Sequence, residues 1–152
     1  MGMKLAFFTS FFLILPLYIY AQTAAELEAI LQTQNVSCAQ AAKFVLASGS
    51  DAAAANLSAQ SAFDLALSRG WLADGTKPND KITLDKLSFL ILKSFNMKGG
   101  VMYALSPGPR YAYKSMVSRD FIQGNTSPGM NVSGEKFLLI LGKVISAQGG
   151  NK

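Results

Sequence analysis

The sequence predicts an all-α protein built from repeated helix-loop-helix units. Three observations lead there. Apolar residues recur at spacings of three and four between Ser or Thr caps and Gly stops, which is the pattern of amphipathic helices. Residues 69–87, RGWLADGTKPNDKITLDKL, align without a gap on residues 119–137, RDFIQGNTSPGMNVSGEKF, at an offset of 50. Half of the 152 residues are hydrophobic and only one is cysteine, so the fold stands on packing.

In that alignment Arg69 falls on Arg119, Trp71 on Phe121, Leu72 on Ile122 and Pro78 on Pro128. Ile82 falls on Val132, Thr83 on Ser133, Lys86 on Lys136 and Leu87 on Phe137. Upstream, Ala62 falls on Ala112, so the register holds over more than 25 positions. Self-similarity at a fixed period of this kind sets the architecture.

The chain opens on MGMKLAFFTSFFLILPLYIYAQ. One cation, Lys4, precedes an apolar run of 17 residues, 5–21, which ends in small Ala21. That is the layout of a secretory signal peptide cleaved after Ala21, residues 1–21. The run is shorter than the roughly 20 residues a spanning helix needs. The alternative is an uncleaved anchor; a cleaved chain carries no transmembrane segment. Residues 22–148 form the folded domain, and 149–152 are a tail.

The first helix is expected over 23–33, with Leu27, Ile30 and Leu31 as its apolar stripe and Thr23 and Glu26 as a capping box. A second spans 36–49, from the Ser37 cap to Gly49, and buries Ala41, Phe44 and Val45. Residues 49–60 are small and polar, a linker with room for a short helical turn. The next helix runs over 58–70, from Ser58 to Gly70. Another spans 83–96, capped by Thr83, with Leu84, Leu87, Leu90, Ile91 and Phe95 apolar. Residues 97–110 read as an irregular connector in which Val101 to Leu105 is a short extended piece. Pro109 starts a helix over 110–120, and Ser133 caps the last one, 133–150.

These helices group into units of about 23–48, 58–97 and 106–147, the first a shortened copy. In it Val36-Ser37 corresponds to Ile82-Thr83 and to Val132-Ser133. The β-branched residue ahead of each cap sits where a hydrophobic staple belongs. The apolar pairs Trp71-Leu72 and Phe121-Ile122 are placed to fold back over their helices.

The layout resembles the S-layer homology (SLH) repeat. Tyr111-Ala112 matches its aromatic-Ala start, Phe121-Ile122-Gln123-Gly124 its glycine turn, and Pro128 followed by Val132-Ser133 its approach to the second helix. Ala62, Gly70-Trp71-Leu72 with Gly75, Pro78 and Ile82-Thr83 do the same in the middle copy. The resemblance implies three helix-loop-helix prongs around a pseudo-threefold bundle, with ligand grooves between prongs. It further implies noncovalent attachment to peptidoglycan or another envelope glycan. The family's Thr-Arg-Ala-Glu signature is replaced by Ser37-Cys38-Ala39-Gln40, Thr83-Leu84-Asp85-Lys86 and Ser133-Gly134-Glu135-Lys136.

The composition excludes several classes. The chain has no His, the commonest general base, and its lone Cys38 lacks a His partner. Carboxylates are scattered, and no phosphate loop, metal spacing or dinucleotide fingerprint occurs. A noncatalytic protein without a cofactor is expected. The net charge is +5, or +4 once Lys4 is removed with residues 1–21. The cations are mostly isolated lysines, so no nucleic-acid footprint is present.

Seven residues stand out as ligand-binding candidates. Arg69 and Arg119 recur at the ends of first helices, as groove cations or as charges matched to the helix dipole. Lys86 and Lys136 sit in first turns, where a cation is mildly unfavourable. Trp71 is placed to stack on a sugar ring or to pack into the core. Arg110 and Tyr111 belong to YALSPGPRYAYK (103–114), which joins aromatics and cations to a rigid loop. Two functions follow: an exported module of a bacterial cell envelope that binds glycan, or a periplasmic helical adaptor that binds a protein and has no glycan site.

Overall fold

The computed structural model describes residues 15–150. The expected signal peptide lies, up to residue 14, outside the described residues, as does the end of the tail.

Among the described residues seven α-helices and one 3-10 turn follow one another: α1 (Leu15–Leu31), α2 (Cys38–Ser48), the 3-10 turn (Ala52–Ala54), α3 (Ala59–Ser68), α4 (Leu84–Ser94), α5 (Val101–Leu105), α6 (Pro109–Ser118) and α7 (Gly134–Gly149). The described residues hold no strand, and the protein is all-α. No helix among them is long and apolar enough to cross a membrane.

The caps explain most boundaries. Ser37 forms a full capping box with Gln40, satisfying two amides that the first turn of α2 leaves unpaired. The hydroxyls of Ser58 and Ser133 accept the amides of Ser61 and Lys136. Thr83 makes no such bond; its hydroxyl donates to the Asp85 carboxylate, which also accepts the Lys86 amide. Two expectations are corrected. Thr23 lies inside α1 rather than at its start, because the helix continues through Ala21. Val101 to Leu105 is a helix, not an extended piece, since Tyr103 on its inner side packs against Phe89 at 6.2 Å. Pro109 starts α6, as expected, at a position where its missing N–H costs nothing.

Helices pair across the chain rather than within one helix-loop-helix unit. α2 lies along α3, α4 along α6, and α1 along α7; α2 also touches α4 and α7. The segments ahead of α2, α4 and α7 meet at the centre. There Val36 N–H donates to the Val132 carbonyl (2.8 Å) and Ile82 N–H to the Val36 carbonyl (2.9 Å). Cys38, Leu84 and Gly134, equivalent in sequence, donate to the carbonyls of Asp80, Met130 and Thr33. The residues ahead of the caps, Val36, Ile82 and Val132, are fully buried, as are Ala41, Leu87 and Phe137 one turn on. Burying each larger side chain stabilises by roughly 1.5–3 kcal/mol. Phe137 meets Phe44 edge to face at 6.3 Å, joining α7 to α2.

Close packing reaches the helix ends. At Gly49 a Cβ would lie 2.1 Å from Ser94 Oγ, so only glycine lets α2 end against α4. Ser94 Oγ there donates to the Val45 carbonyl (3.2 Å). Among the described residues no buried side-chain polar atom is left without a partner, as a well-formed interior requires.

Candidate functional site

The loop after α3 is turned by Gly70 and Gly75, both in left-handed backbone (φ +69° and +84°). The Trp71 amide donates back to the Ala66 carbonyl (2.9 Å), which folds the indole against the start of α4. Facing it is the segment 107–109, stiffened by two prolines. Between them lies a groove of about 290 Å³ lined by Trp71, Asp85, Lys86, Phe89, Pro107 and Pro109 with the adjoining backbone.

Its polar groups are few and oriented. Asp85 Oδ1 already accepts two hydrogen bonds, from Thr83 and the Lys86 amide. Lys86 is half-buried in the first turn of α4. The Arg69 guanidinium lies 4.9 Å from the Trp71 ring centre and pairs with Asp51 at 2.7 Å. That hydrogen bond, helped by one from the Ala53 amide, holds the Asp51 carboxyl below its usual range. Flat apolar walls with one carboxylate and one ammonium suit an amphiphilic ring held noncovalently. The described residues offer no cluster of metal-ligating side chains.

Of the seven candidates, Trp71 and Lys86 share this groove, with Arg69 against the Trp ring. The other four lie elsewhere. Arg110 is exposed in the first turn of α6 and does not line the groove. Tyr111 lines a separate cleft of about 250 Å³, with the Lys114 ammonium 5.5 Å from its ring centre. Arg119 hydrogen-bonds the Lys98 carbonyl and borders an open depression along α7 with Phe121 and Lys143. Lys136 is half-buried at the start of α7 and lines none of these clefts. The equivalence of Arg69 with Arg119 in sequence therefore does not produce equivalent surroundings.

Sequence reasoning missed Phe89 and Asp85 as groove walls, while Pro107 and Pro109 belong to the rigid loop of the stretch 103–114. Phe89 gives a usable signal, since it is the one aromatic of α4 off the apolar stripe. Cys38, Leu84 and Gly134, each the residue after its cap, are all buried. Burial pushes the Cys38 thiol up, partly offset by the Lys86 charge.

No protein-family model, curated protein or solved structure matches the chain.

Proposed function

We propose that the protein is a noncatalytic, exported module of a bacterial cell envelope that holds peptidoglycan or a related glycan in the Trp71–Lys86 groove. In this reading the chain forms three SLH-like repeats around a pseudo-threefold bundle, after a signal peptide over residues 1–21. The sequence-related hydrogen bonds of Cys38, Leu84 and Gly134 at the centre support the threefold arrangement. One observation carries the binding reading: the groove combines two aromatic faces, a carboxylate, an ammonium and a proline wall in about 290 Å³. Sugar rings offer apolar C–H faces to aromatics and hydroxyls to charged groups, so the composition fits.

The test is co-sedimentation with purified peptidoglycan sacculi. Wild-type protein is expected to pellet with sacculi. Trp71→Ala and Lys86→Ala are each expected to weaken binding about tenfold, the equivalent of about 1.4 kcal/mol, with unchanged helical circular dichroism. Failure of the folded protein to pellet would sink the glycan reading.

The second reading, a periplasmic adaptor for a protein partner, is favoured by the loss of arginine at the three signature positions. It predicts no pelleting with sacculi.

A further inference from the structure

Between α4 and α6 the chain makes a knob that the groove does not use. α5 exposes Val101 (78%), Leu105 (76%) and Met102 (52%). The knob is held in place from its inner side. Tyr103 is buried against Phe89, and a Cβ at Gly99 would come within 2.3 Å of the Tyr103 ring. The Gly100 amide donates to Ser115 Oγ at 2.9 Å. Three large aliphatic side chains are thus displayed by a fixed element rather than shed by a frayed loop. A contiguous apolar display of this kind marks an interaction surface.

Charge selects the partner. Residues 86–119 contain six cations, Lys86, Lys93, Lys98, Arg110, Lys114 and Arg119, and no carboxylate. The rest of the chain sets eight cations against nine carboxylates. Among the described residues the ion pairs are Lys43–Glu26 and Arg69–Asp51, so none of the six is neutralised by one. Three of them ring the knob. Lys98 adjoins Gly99, Arg119 is tied to the Lys98 carbonyl, and Lys114 shares the cleft beside Val101 and Met102 with Tyr111.

We infer that α5, with its rim of Lys98, Lys114 and Arg119, docks the protein on an anionic phospholipid surface. The aliphatic tip enters the headgroup region while the cations meet phosphates, and the amphipathic Tyr111 sits at the boundary. This surface is separate from the Trp71–Lys86 groove and does not depend on its ligand.

The chain has a single Trp, so Trp71→Phe with Met102→Trp in the full chain moves the only indole to the knob. Vesicles of phosphatidylglycerol and phosphatidylcholine with brominated acyl chains are expected to blue-shift and quench it. Vesicles of phosphatidylcholine alone, or about 0.5 M salt, are expected to weaken the effect at least tenfold. Adding Lys98→Glu and Lys114→Glu is expected to do the same with unchanged circular dichroism. Emission that stays solvent-like with anionic vesicles overturns the proposal and points to a protein occupant. Quenching that ignores lipid charge overturns it as well. A blue shift without lipid that grows with protein concentration also overturns it, and assigns the knob to a second copy of the chain.

Discussion

A methyl group added at Gly134 would sit 1.6 Å from the carbonyl oxygen of Ile30. The Gly134 amide donates to the Thr33 carbonyl nearby (2.8 Å), so the start of α7 is pressed onto the end of α1. The clash is with backbone and cannot be relieved by turning a side chain. Gly134→Ala is therefore expected to lose about 3 kcal/mol or more, at the upper end of overpacking costs, as read by urea unfolding. A pH effect belongs to Asp51. Its carboxyl is held low by Arg69 and Ala53, so its stabilising contribution is present above the ordinary carboxylate range and lost as pH falls through the lowered value. Wild-type Tm is expected to drop more steeply than that of Asp51→Asn below about pH 4. About 1 M salt is expected to narrow the gap. Neither residue's role was legible in the sequence. In the sequence Gly134 stands as a replaced signature residue, and Arg69 as a groove cation or a charge matched to the helix dipole, because sequence reports position and not which carbonyl or carboxylate lies opposite.

At the scale of elements, caps and stripes were the legible part. Ser37, Ser58, Thr83 and Ser133 each precede a helix, and the apolar positions one turn on are buried. What the caps do differs. Ser37→Ala removes the hydroxyl that accepts the Gln40 amide, one half of the capping box, and is expected to cost about 1 kcal/mol of unfolding free energy. Thr83→Ala removes no cap bond and is expected to cost less by the same urea measurement. A result in which Thr83→Ala costs as much would assign the capping to its hydroxyl after all. The start of α1 and the whole of α5 differ from the local signals, for opposite reasons. The capping-box pattern at Thr23 and Glu26 marks a helix start, whereas α1 is already helical ahead of Thr23, through Ala21. The glycines and prolines around α5 signalled irregular chain, and its helicity depends on Tyr103 finding Phe89, a tertiary contact with no local trace.

For the whole molecule, the segments ahead of α2, α4 and α7 meet at the centre, but helix partners are invisible to the repeat period. Each first helix packs on a second helix from elsewhere in the chain: α3 on α2, α6 on α4, α1 on α7. The groove was half legible for the same reason. Trp71 and Lys86 stood out, while Pro107 and Pro109 reach it only through the pairing of α4 with α6. Phe137 connects α7 to Phe44 of α2. Phe137→Ala is accordingly expected to cost about 3–5 kcal/mol and to raise amide exchange in α1 and α2 as well as in α7. Exchange confined to α7 would show independent units instead. The pairing of α1 with α7 also governs when the fold can exist. More than 100 residues separate the two helices, a separation that puts a long loop closure ahead of the last packing gain. A chain still emerging from the ribosome has α1 without its partner until residue 149 is made. The nascent polypeptide therefore stays open at this seam for as long as α7 is withheld.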